Sequence, residues 1–563
     1  MAEILKKTRK ILLFNNLSPG DVVAMTAAVR DLHRAHPGEF VIGVHSSAGE
    51  IWDNNPYITK LPIKLEPLGD QTEAGSKHEV LIKRAKVKIV LDDPEIEVFD
   101  CEYSGDYPAS INRCNTNAFH FIHGYAHDIG RKLGVKIPIT EYNGDIHISE
   151  QERGWMSQIE ERGIRSNFWV VLGGGKFDFT AKWWDPAQYQ KVIDHFLERI
   201  LFVQCGEVSH HHPRLKNVID LVGKTDIRQF IRLIYHADGV LCPVTFAMHL
   251  AAAVPMRPFD NYGRRKPPQR ACVVLAGGRE PTHWEAYPFH QYIHSTASLP
   301  CCRDGGCWKS RCQKVNDNDP KDENLCDSRI KVAPDLFIPK CQTMIRAETV
   351  IGRIKLYYSG GLFQYNEVND YSKPVVERRE RPQPDRHCLR YLIEHFCPTS
   401  LLDVGCDRGG IISAALEQGI DAYGLGQGTR ILFTDDVRVP KSRLSVFDLS
   451  LDHWKSPHQF DLVWSARPDE LAGPEMCANF ITTIRENLCS EGVLFLTRDS
   501  TWRVPAAAEP DDEWISRWTA RISEQGFQLL ETESLNVRAV ATDEQFKRCA
   551  LIFKKTSFPL VTI

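Results

Sequence analysis

The chain has 563 residues, a formal net charge of −4 at pH 7 and 17 cysteines. This length exceeds what a single hydrophobic core supports and predicts three or four domains of ordinary size. The near-neutral charge disfavours a protein that coats nucleic acid or lies on a membrane surface. No apolar run approaches the roughly 20 residues that span a bilayer, and the first residues lack the pattern of a signal peptide. We therefore expect a soluble, cytoplasmic protein.

The amino-terminal region begins with a strand, a glycine turn and a helix. Residues 11–14 form a short apolar run, residues 18–21 read Ser-Pro-Gly-Asp, and residues 22–33 have helical periodicity. This order places Asp21 at the amino terminus of a helix, where the helix dipole favours a carboxylate and where an aspartate can cap. An N-cap aspartate and a catalytic carboxylate explain this spacing equally well.

A second helix is predicted over residues 112–133, after further strands over residues 40–44 and 87–91. This helix carries three histidines on one face, at positions i, i+3 and i+7: His120, His123 and His127. Such a stripe can bind a metal or line an acceptor cleft. Partly buried helix histidines are the more common outcome, and we favour that interpretation.

The middle of the chain, residues 168–255, has the pattern of a parallel sheet with crossover helices. Apolar runs bounded by glycine alternate here with segments of helical period, and the runs cover residues 169–172, 201–205 and 239–242. Ligands of such folds bind at the carboxyl ends of the strands. Those ends hold Gly173, Gly174, Gly175, Glu207 and the corner from Thr245 to His249.

Four motifs follow one another in this region: a glycine-rich strand end at residues 173–175, Lys182-Trp183-Trp184, Gly223-Lys224-Thr225, and a corner at residues 244–253 that reads Val-Thr-Phe-Ala-Met-His-Leu-Ala-Ala-Ala. Together they resemble the donor-binding half of glycosyltransferase family nine, the lipopolysaccharide heptosyltransferases. The resemblance implies the GT-B arrangement, an α/β fold of two Rossmann-like domains that face each other across a cleft. It implies an acceptor-side domain at residues 1–160 and a donor-binding domain at residues 161–360.

The resemblance also implies roles for single residues. Asp21 becomes the general base for the acceptor hydroxyl, because an alcohol is a poor nucleophile until its proton is withdrawn. Lys182 pairs with the phosphates of a nucleotide-diphosphate sugar such as ADP-heptose, whose leaving diphosphate gains negative charge during the reaction. The other donor-side candidates are Gly173, Gly174, Gly175, Glu207, Gly223, Thr225, Thr245 and His249.

Several of these candidates have a defined role or an alternative. Glu207 would hold the ribose, and the backbone amides after the three glycines and around Thr245 would bind phosphate, because glycine lets a chain approach closely. Thr225 can instead be the N-cap of the following helix. His249 can be a hydrogen-bonded core histidine, although the resemblance favours a donor-side role.

The chain departs from the family at two positions of the 244–253 corner. Val244 and Phe246 stand where the family has aspartate and glycine. If that aspartate normally grips the donor, a different sugar or nucleotide becomes an alternative for this chain.

A cluster of cysteines lies between residues 301 and 341, in loops that contain glycine and polar residues. Thiolates in a reducing compartment suit zinc or iron, which four cysteines can close tetrahedrally. The cluster resembles the cysteine motif of the autotransporter heptosyltransferases, which carry an iron-binding finger. Buried or disulfide-capable thiols are the alternative. The ligands that we expect are Cys302, Cys307, Cys326 and Cys341, with Cys301 and Cys312 as substitutes.

The last third of the chain begins with a linker. Residues 361–386 are polar, charged and proline-bearing, and a domain is predicted over residues 387–563. Its residues 400–410 read Ser-Leu-Leu-Asp-Val-Gly-Cys-Asp-Arg-Gly-Gly. This strand and glycine turn resemble the first motif of the class I S-adenosylmethionine methyltransferases. The resemblance implies a Rossmann-like fold and a cofactor site with Asp403, Gly405, Gly409 and Asp448.

Two departures weaken the catalytic prediction for this domain more than the fold prediction. Gly426 replaces the acidic residue that would hold the ribose hydroxyls, and Asp407 stands where a glycine is usual. A retained fold that serves as an interaction module is therefore an alternative to a methyltransferase.

The sequence thus predicts an inverting glycosyltransferase with an appended methyltransferase-like domain. The transferred sugar is a heptose or a similar sugar, and the acceptor is a hydroxyl on a glycan, a lipopolysaccharide or a protein. One alternative is a catalytically degenerate scaffold, indicated by Val244, Phe246 and Gly426. Another is a transferase that glycosylates modified nucleic acid bases, to which the net charge gives little support. The oligomeric state stays open.

Overall fold

The computed structural model of the chain describes two compact units. The described residues are 8–68, 78–102, 120–164, 166–197, 199–260, 265–359, 385–426, 432, 439–449, 452–466, 474–498 and 511–556. The first unit comprises residues up to 157, 168–193 and 202–363, and the second comprises residues 158–167, 194–201 and 364 onward. Within these described ranges, no helix has both the length and the apolarity to cross a membrane.

The amino-terminal part of the first unit is an α/β layer. Its strands are β1 (Arg9–Asn15), β2 (Phe40–Ser46), β3 (Ile63–Pro67), β4 (Glu79–Ile82), β5 (Val87–Leu91) and β6 (Ile96–Asp100). Its helices are α1 (Pro19–Ala35), α2 (Phe121–Leu133) and α3 (Glu150–Arg153). β2, β1 and β6 form a parallel sheet in that order, and α1 lies against α2.

The predicted strand at residues 87–91 belongs to a different sheet from β1. It is β5, the central strand of an antiparallel sheet of order β3-β5-β4. Ile89 and Leu91 of β5 pack with Leu12 and Phe14 of β1 in one apolar cluster. The two sheets therefore share a core, which the local sequence of residues 87–91 could not reveal.

The second part of the first unit is built on a six-stranded sheet. Its strands are β7 (Phe168–Val171), β8 (Leu201–Gln204), β9 (Val218–Asp220), β10 (Gly239–Pro243), β11 (Ala271–Gly277) and β12 (His290–His294). β7, β10 and β11 are buried along their whole length, which explains their continuous apolar sequences. The helices around the sheet are α4 (Pro186–His195), α5 (Ile227–His236), α6 (Phe246–Ala253), α7 (Thr282–Glu285) and α9 (Ala347–Ser359).

The strand order of this sheet is β12-β11-β10-β7-β8-β9. The pairs β12–β11, β11–β10, β10–β7 and β8–β9 are parallel. Counted in chain order, this is the 3-2-1-4-5-6 arrangement of the Rossmann fold, whose ligands bind where the strand order reverses. That reversal lies between β7 and β10.

The cysteine region follows β12 and contains β13 (Arg329–Ala333), β14 (Leu336–Pro339) and α8 (Lys340–Thr343). A fully buried arginine, Arg311, organises it. Its guanidinium lies 2.7 Å from Asp317 and 2.6 Å from Asp322 within the region, and 3.1 Å from Asp178 of the preceding sheet layer. Carboxylates therefore cover the buried charge and fix the region to its neighbour.

The second unit contains a seven-stranded sheet. Its strands are β15 (Ser400–Val404), β16 (Asp421–Gly426), β17 (Leu444–Val446), β18 (Phe460–Ser465), β19 (Leu488–Leu496), β20 (Phe527–Leu529) and β21 (Leu551–Lys555). Its helices are α10 (Arg386–Phe396), α11 (Gly410–Glu417), α12 (Pro474–Asn487), α13 (Asp511–Ser523), α14 (Glu531–Val540) and α15 (Glu544–Cys549). The order is β17-β16-β15-β18-β19-β21-β20, in which β21 runs antiparallel to both neighbours. The strand order reverses at β15, as in doubly wound folds.

The molecule is thus a mixed α/β protein with parallel sheets, as the sequence predicts. Residues 103–119, which include the start of the predicted helix at 112–133, lie outside the described ranges. The same holds for most of the predicted linker, from residue 361 to residue 384.

Candidate active site

Asp21 lies in the first turn of α1, near the carboxyl end of β1. Ser18 precedes the helix as its N-cap residue, and its carbonyl accepts the Asp21 amide at 2.9 Å. The alternative that Asp21 is the N-cap is therefore wrong. Desolvation raises the pKa of Asp21 to about 6, although Lys182, the Ser18 backbone and Lys176 oppose the shift. A carboxylate with this pKa is suited to general base catalysis near neutral pH.

His249 of α6 packs against the backbone beside Asp21. A Cβ built on Gly20 would lie 2.7 Å from Cδ2 and 2.9 Å from Nε2 of the His249 ring. Nδ1 of His249 shares a hydrogen bond of 2.7 Å with the Tyr287 hydroxyl. Burial, with the Lys182 charge as a smaller cause, lowers the pKa of His249 to about 3, so the imidazole is neutral. His249 is thus a hydrogen-bonded buried histidine, and it also adjoins the predicted base.

Lys182 lies at the end of a 3-10 helix, Phe177–Lys182, where the strand order reverses between β7 and β10. Its ammonium donates to the Val244 carbonyl at 3.2 Å and lies 2.8 Å from Oε1 of Glu280. The side chain keeps 23% of its surface exposed, so Lys182 is the accessible member of the pair. Lys182 and Asp21 also interact electrostatically, which places both predicted residues in one site.

Two buried carboxyl groups join this site from the segment after β11. Glu280 and Glu285 are 1% and 3% exposed. Glu280 pairs with Arg279 as well as with Lys182. Burial and the neighbouring Glu280 raise the pKa of Glu285, whose Oε2 lies 3.6 Å from Nε2 of His249. The site therefore contains three carboxyl groups around one accessible lysine.

The glycine loop after β7 packs on protein backbone. Gly175 and His211 exchange two backbone hydrogen bonds, of 3.0 and 3.1 Å. A Cβ on Gly174 would lie 1.8 Å from the His211 carbonyl oxygen, which only glycine avoids. The Gly175 amide is already engaged by His211, so it is not a phosphate donor in this conformation. Phosphate binding by Gly173 and Gly174 stays a prediction.

Glu207 lies in the loop after β8, with 64% of its side chain exposed and Nε2 of His210 at 3.2 Å. The next loop adjoins it, because the Gly223 amide donates to the Gly206 carbonyl at 2.8 Å. A ribose-binding role for Glu207 and a donor-side role for Gly223 remain predictions.

The alternative that Thr225 is the N-cap of α5 is wrong. Asp226 is the N-cap, and its carboxylate accepts the Gln229 amide at 2.7 Å. The Gln229 side chain accepts the Asp226 amide at 3.0 Å, which completes a capping box. Threonine and aspartate are both common N-cap residues, and here the capping box with Gln229 stabilises the aspartate in that position. A donor-side role for Thr225 stays a prediction.

Thr245 is the N-cap of α6, and its hydroxyl accepts the Ala247 amide at 3.3 Å. The two departures from the family flank it. Val244 is buried and offers its carbonyl to Lys182, whereas the Phe246 ring lies 6.0 Å from the Phe230 ring. Backbone and aromatic groups therefore occupy the place of the carboxylate and the glycine.

Five cysteines line one small cavity between β11, the 3-10 helix and the cysteine region. They are Cys301, Cys302, Cys307, Cys326 and Cys341, and all are free thiols. The cavity thus brings together the four expected ligands and one substitute. The other substitute, Cys312, is engaged elsewhere, because its thiol lies 3.2 Å from the Thr180 carbonyl and 2.9 Å from that of Phe337. The donor set suits a thiophilic ion such as zinc or iron.

A second group of possible metal ligands lies nearby. In the part of the chain that the structure describes, Asp178, Asp317 and Asp319 are the one set of three such side chains whose ligand atoms all lie within 4.8 Å. Arg311 and Lys321 pair with these carboxylates and neutralise most of their charge. Among the described cysteines, no three sulfurs lie within this distance of one another.

In the second unit, the predicted cofactor residues follow two neighbouring strands. Gly405 and Gly409 come after β15 with positive φ angles of 88° and 78°. Asp403 lies within β15, where burial and the nearby Asp407 raise its pKa to about 8. Asp448 follows β17 and is 2% exposed. All four lie on the carboxyl side of the sheet, near the reversal of strand order.

Sequence reasoning missed four residues that the fold brings to the site: Lys176, Glu280, Glu285 and Tyr287. His120, expected to be an ordinary helix histidine, lies there as well. Lys176 donates to the Ser18 hydroxyl at 3.3 Å, and His120 lies 3.2 Å from the Ala286 carbonyl. The sequence did contain a signal for Glu280, Glu285 and Tyr287. The apolar run at residues 271–277 ends in glycine, and the strand-end rule applied to Gly173 would also have indicated the segment after it.

Residues 129–270 match the family model described as glycosyltransferase family 9 (heptosyltransferase). Among solved structures, the Escherichia coli ADP-heptose lipopolysaccharide heptosyltransferase II is 14% identical, with a TM-score of 0.37 over 62% of this chain and 98% of that one. The iron-containing dodecameric glycosyltransferase TibC of enterotoxigenic E. coli is 13% identical, with a TM-score of 0.34 over 63% and 77%. A TehB-like methyltransferase of Corynebacterium glutamicum is 18% identical, with a TM-score of 0.22 over 37% and 97%.

Comparison with curated protein sequences gives no match. The family match covers the glycine loop, Lys182 and α6 of the candidate site. Residues 129–270 are therefore similar to glycosyltransferase family 9 (heptosyltransferase), and the match covers about a quarter of the chain.

Proposed function

We propose that the first unit is an inverting glycosyltransferase that moves a heptose or a similar sugar from a nucleotide-diphosphate sugar to a hydroxyl group. The observation that carries the proposal is the joint placement of Asp21, with a pKa of about 6, and the accessible Lys182 in one site at the reversal of strand order. A base for the acceptor and a cation for the leaving group are the two groups that this reaction needs.

The geometry supports the following steps. Asp21 accepts the proton of the acceptor hydroxyl as its oxygen forms a bond to the anomeric carbon. The bond from that carbon to the diphosphate oxygen breaks on the opposite face, so the configuration inverts. Lys182 stabilises the negative charge on the departing diphosphate. His249 and Tyr287 stay neutral and keep the Asp21 turn in place through the contact with Gly20.

The test is sugar transfer and donor hydrolysis by the full chain, with ADP-heptose first and UDP- and GDP-sugars beside it. We expect Asp21→Asn to lower the rate by about 100-fold or more, the usual contribution of a general base. The exposed Asp53 supplies a matched control, because Asp53→Asn removes the same charge from the surface. Absence of turnover with every donor would favour the scaffold alternative. Salt-dependent binding to duplex DNA would favour an acceptor made of nucleic acid.

We further propose that the cysteine cavity holds a zinc or iron ion. The support is the convergence of Cys302, Cys307, Cys326 and Cys341, with Cys301, on one small cavity. Bound there, the ion would cross-link the loops that carry these cysteines. Metal analysis of the purified protein should find one equivalent or more, and Cys341→Ser should lose it. Cys312→Ser is the matched control, because that thiol lies outside the cavity.

For the second unit we propose binding of S-adenosylmethionine, and with it transfer of a methyl group to the new glycan or its acceptor. The support is the doubly wound strand order together with the glycine turn that places Gly405 and Gly409 after β15. Asp403, neutral at pH 7 by its raised pKa, offers a hydroxyl hydrogen to that site. Calorimetric titration with S-adenosylmethionine tests the binding, and a protein that takes up none would be consistent with an interaction module.

A further inference from the structure

Lys182 is held on its protein side by two acceptors. One is Oε1 of Glu280 at 2.8 Å, and the other is the Val244 carbonyl at 3.2 Å. An ammonium has three N–H donors, so these two contacts leave one for a ligand oxygen. The Glu280 side chain is 1% exposed, whereas that of Lys182 is 23% exposed. The buried carboxylate therefore fixes the position and direction of a partly exposed cation.

Glu280 is in turn held by Arg279. The Arg279 guanidinium binds Glu280 and lies 4.2 Å from the centre of the Trp308 ring. Its Nε donates to the Lys309 carbonyl at 2.7 Å. Burying an ion pair costs desolvation energy that an apolar pair of similar volume avoids, so stability alone does not explain this arrangement. Of the three side chains, only that of Lys182 is substantially exposed, and the arrangement fixes its position.

Both ends of the Lys182–Glu280 pair are anchored to the cysteine region. Ala181 and Arg279, the residues just before the two partners, line the cysteine cavity. The Ala181 amide donates to the Ser310 carbonyl at 3.0 Å, and the Cys307 amide donates to the Gly278 carbonyl at 3.2 Å. A Cβ on Gly278 would lie 3.0 Å from the Cys302 sulfur, which shows how closely the segment approaches the thiols.

We propose that Glu280, held by Arg279, is a positioning residue that presents Lys182 to the donor diphosphate, and that the cysteine region serves the donor site by anchoring this pair. The inference rests on the proposed function for the identity of the ligand. The placement of Lys182 by Glu280 does not depend on it. The donor diphosphate and Glu280 share the charge of the same ammonium, so the carboxylate also limits how tightly the donor and its product bind.

The first test is competitive acetylation of lysines in the full chain, read by mass spectrometry without any nucleotide. An ion-paired ammonium reacts slowly, so Glu280→Gln and Arg279→Lys should each raise the acetylation rate of Lys182 severalfold. The rate at Lys224, which donates to the Asp220 carbonyl, should not change. Glu323→Gln is the matched control, because Glu323 is an exposed acid of the same region. An unchanged rate at Lys182 in Glu280→Gln would overturn the proposal.

The second test is a double-mutant cycle with ADP as the probe. Glu280→Gln should tighten ADP binding by about fivefold, mainly because the whole charge of the Lys182 ammonium becomes available to the diphosphate. In the Lys182→Ala background the gain should be much smaller, because only the direct repulsion between Glu280 and the diphosphate is then removed. An equal gain without Lys182 would contradict the positioning role. The two tests can also give different answers. If Glu280→Gln raises the acetylation rate of Lys182 but ADP, UDP and GDP all fail to bind, the positioning role is supported and the proposed nucleotide-sugar donor is contradicted.

Discussion

The His249 imidazole packs on the α carbon of Gly20, so closely that a methyl group at residue 20 would lie 2.7 Å from the ring. Gly20 lies in α1 of the amino-terminal part of the first unit, and His249 lies in α6 of its second part. The contact lies beside Asp21, which is the next residue in α1. The position of the proposed base is therefore set by α6, more than two hundred residues away in the sequence.

We expect Gly20→Ala to reduce the transfer rate and the stability together. The added methyl group must displace either the His249 ring or the first turn of α1, and overpacking of this kind costs about 1–3 kcal/mol. Steady-state kinetics and thermal unfolding measure the two effects. Gly352→Ala in α9 is the matched control, because a Cβ there meets nothing within 4 Å. That change should leave the rate unchanged and should not lower the stability. Equal behaviour of the two variants would contradict the role assigned to the contact.

The transfer rate should depend on pH through Asp21. Its pKa is raised to about 6, and a base must be deprotonated to act. We therefore expect kcat/KM to rise as the pH increases toward 6 and to level off above it. Lys176 opposes the shift by its positive charge, so Lys176→Ala should move the acidic limb to higher pH. Two results would argue against Asp21 as the base: an acidic limb of the kcat/KM profile that does not shift in Lys176→Ala, or a kcat/KM that does not change between pH 5 and 7.

The same carboxyl group should cost stability above pH 6. Its pKa is about 6 in the folded chain against an ordinary value of 3.8, so the folded state binds more protons between these values. Stability contributed by the protonated form is full below pH 4 and is lost as the pH rises through 6. Asp21→Asn should therefore stabilise the protein at pH 8 by about 1–3 kcal/mol. Thermal unfolding at several pH values measures this, and a gain of equal size at pH 4 would contradict it.

Binding of S-adenosylmethionine by the second unit should depend on Gly405. Its φ of 88° is unfavourable for any residue with a Cβ, and the turn lies at the predicted cofactor site. We expect Gly405→Ala to weaken binding by tenfold or more, about the effect of 1.4 kcal/mol. Gly419→Ala is matched to it, because Gly419 has a φ of 79° at the end of α11, where a Cβ meets nothing within 4 Å. Calorimetry that shows the same loss in both variants would assign the effect to strain alone.

The local sequence pattern was sufficient to place a residue wherever its position depends only on the helix or strand that carries it. A strand, a glycine turn and a helix place Asp21, and the continuous apolar runs of β7 and β10 place Lys182 and Thr245 at one edge of a sheet. Pattern failed where two local solutions compete. Thr225 and Asp226 both suit a helix cap, and only the capping box with Gln229 selected the aspartate.

By itself, the sequence determined the α/β class and the parallel sheets, and it indicated Asp21 and Lys182 as candidate site residues, because period, turn residues and motif order are properties of contiguous residues. Only the tertiary structure decided what surrounds them. Glu280 reaches Lys182, and Arg279 reaches Glu280, because β11 ends beside β10, and five cysteines from separate loops converge on one cavity. Such contacts depend on how strands are ordered in a sheet, and the pKa values of Asp21 and Glu285 depend on the burial that this order creates.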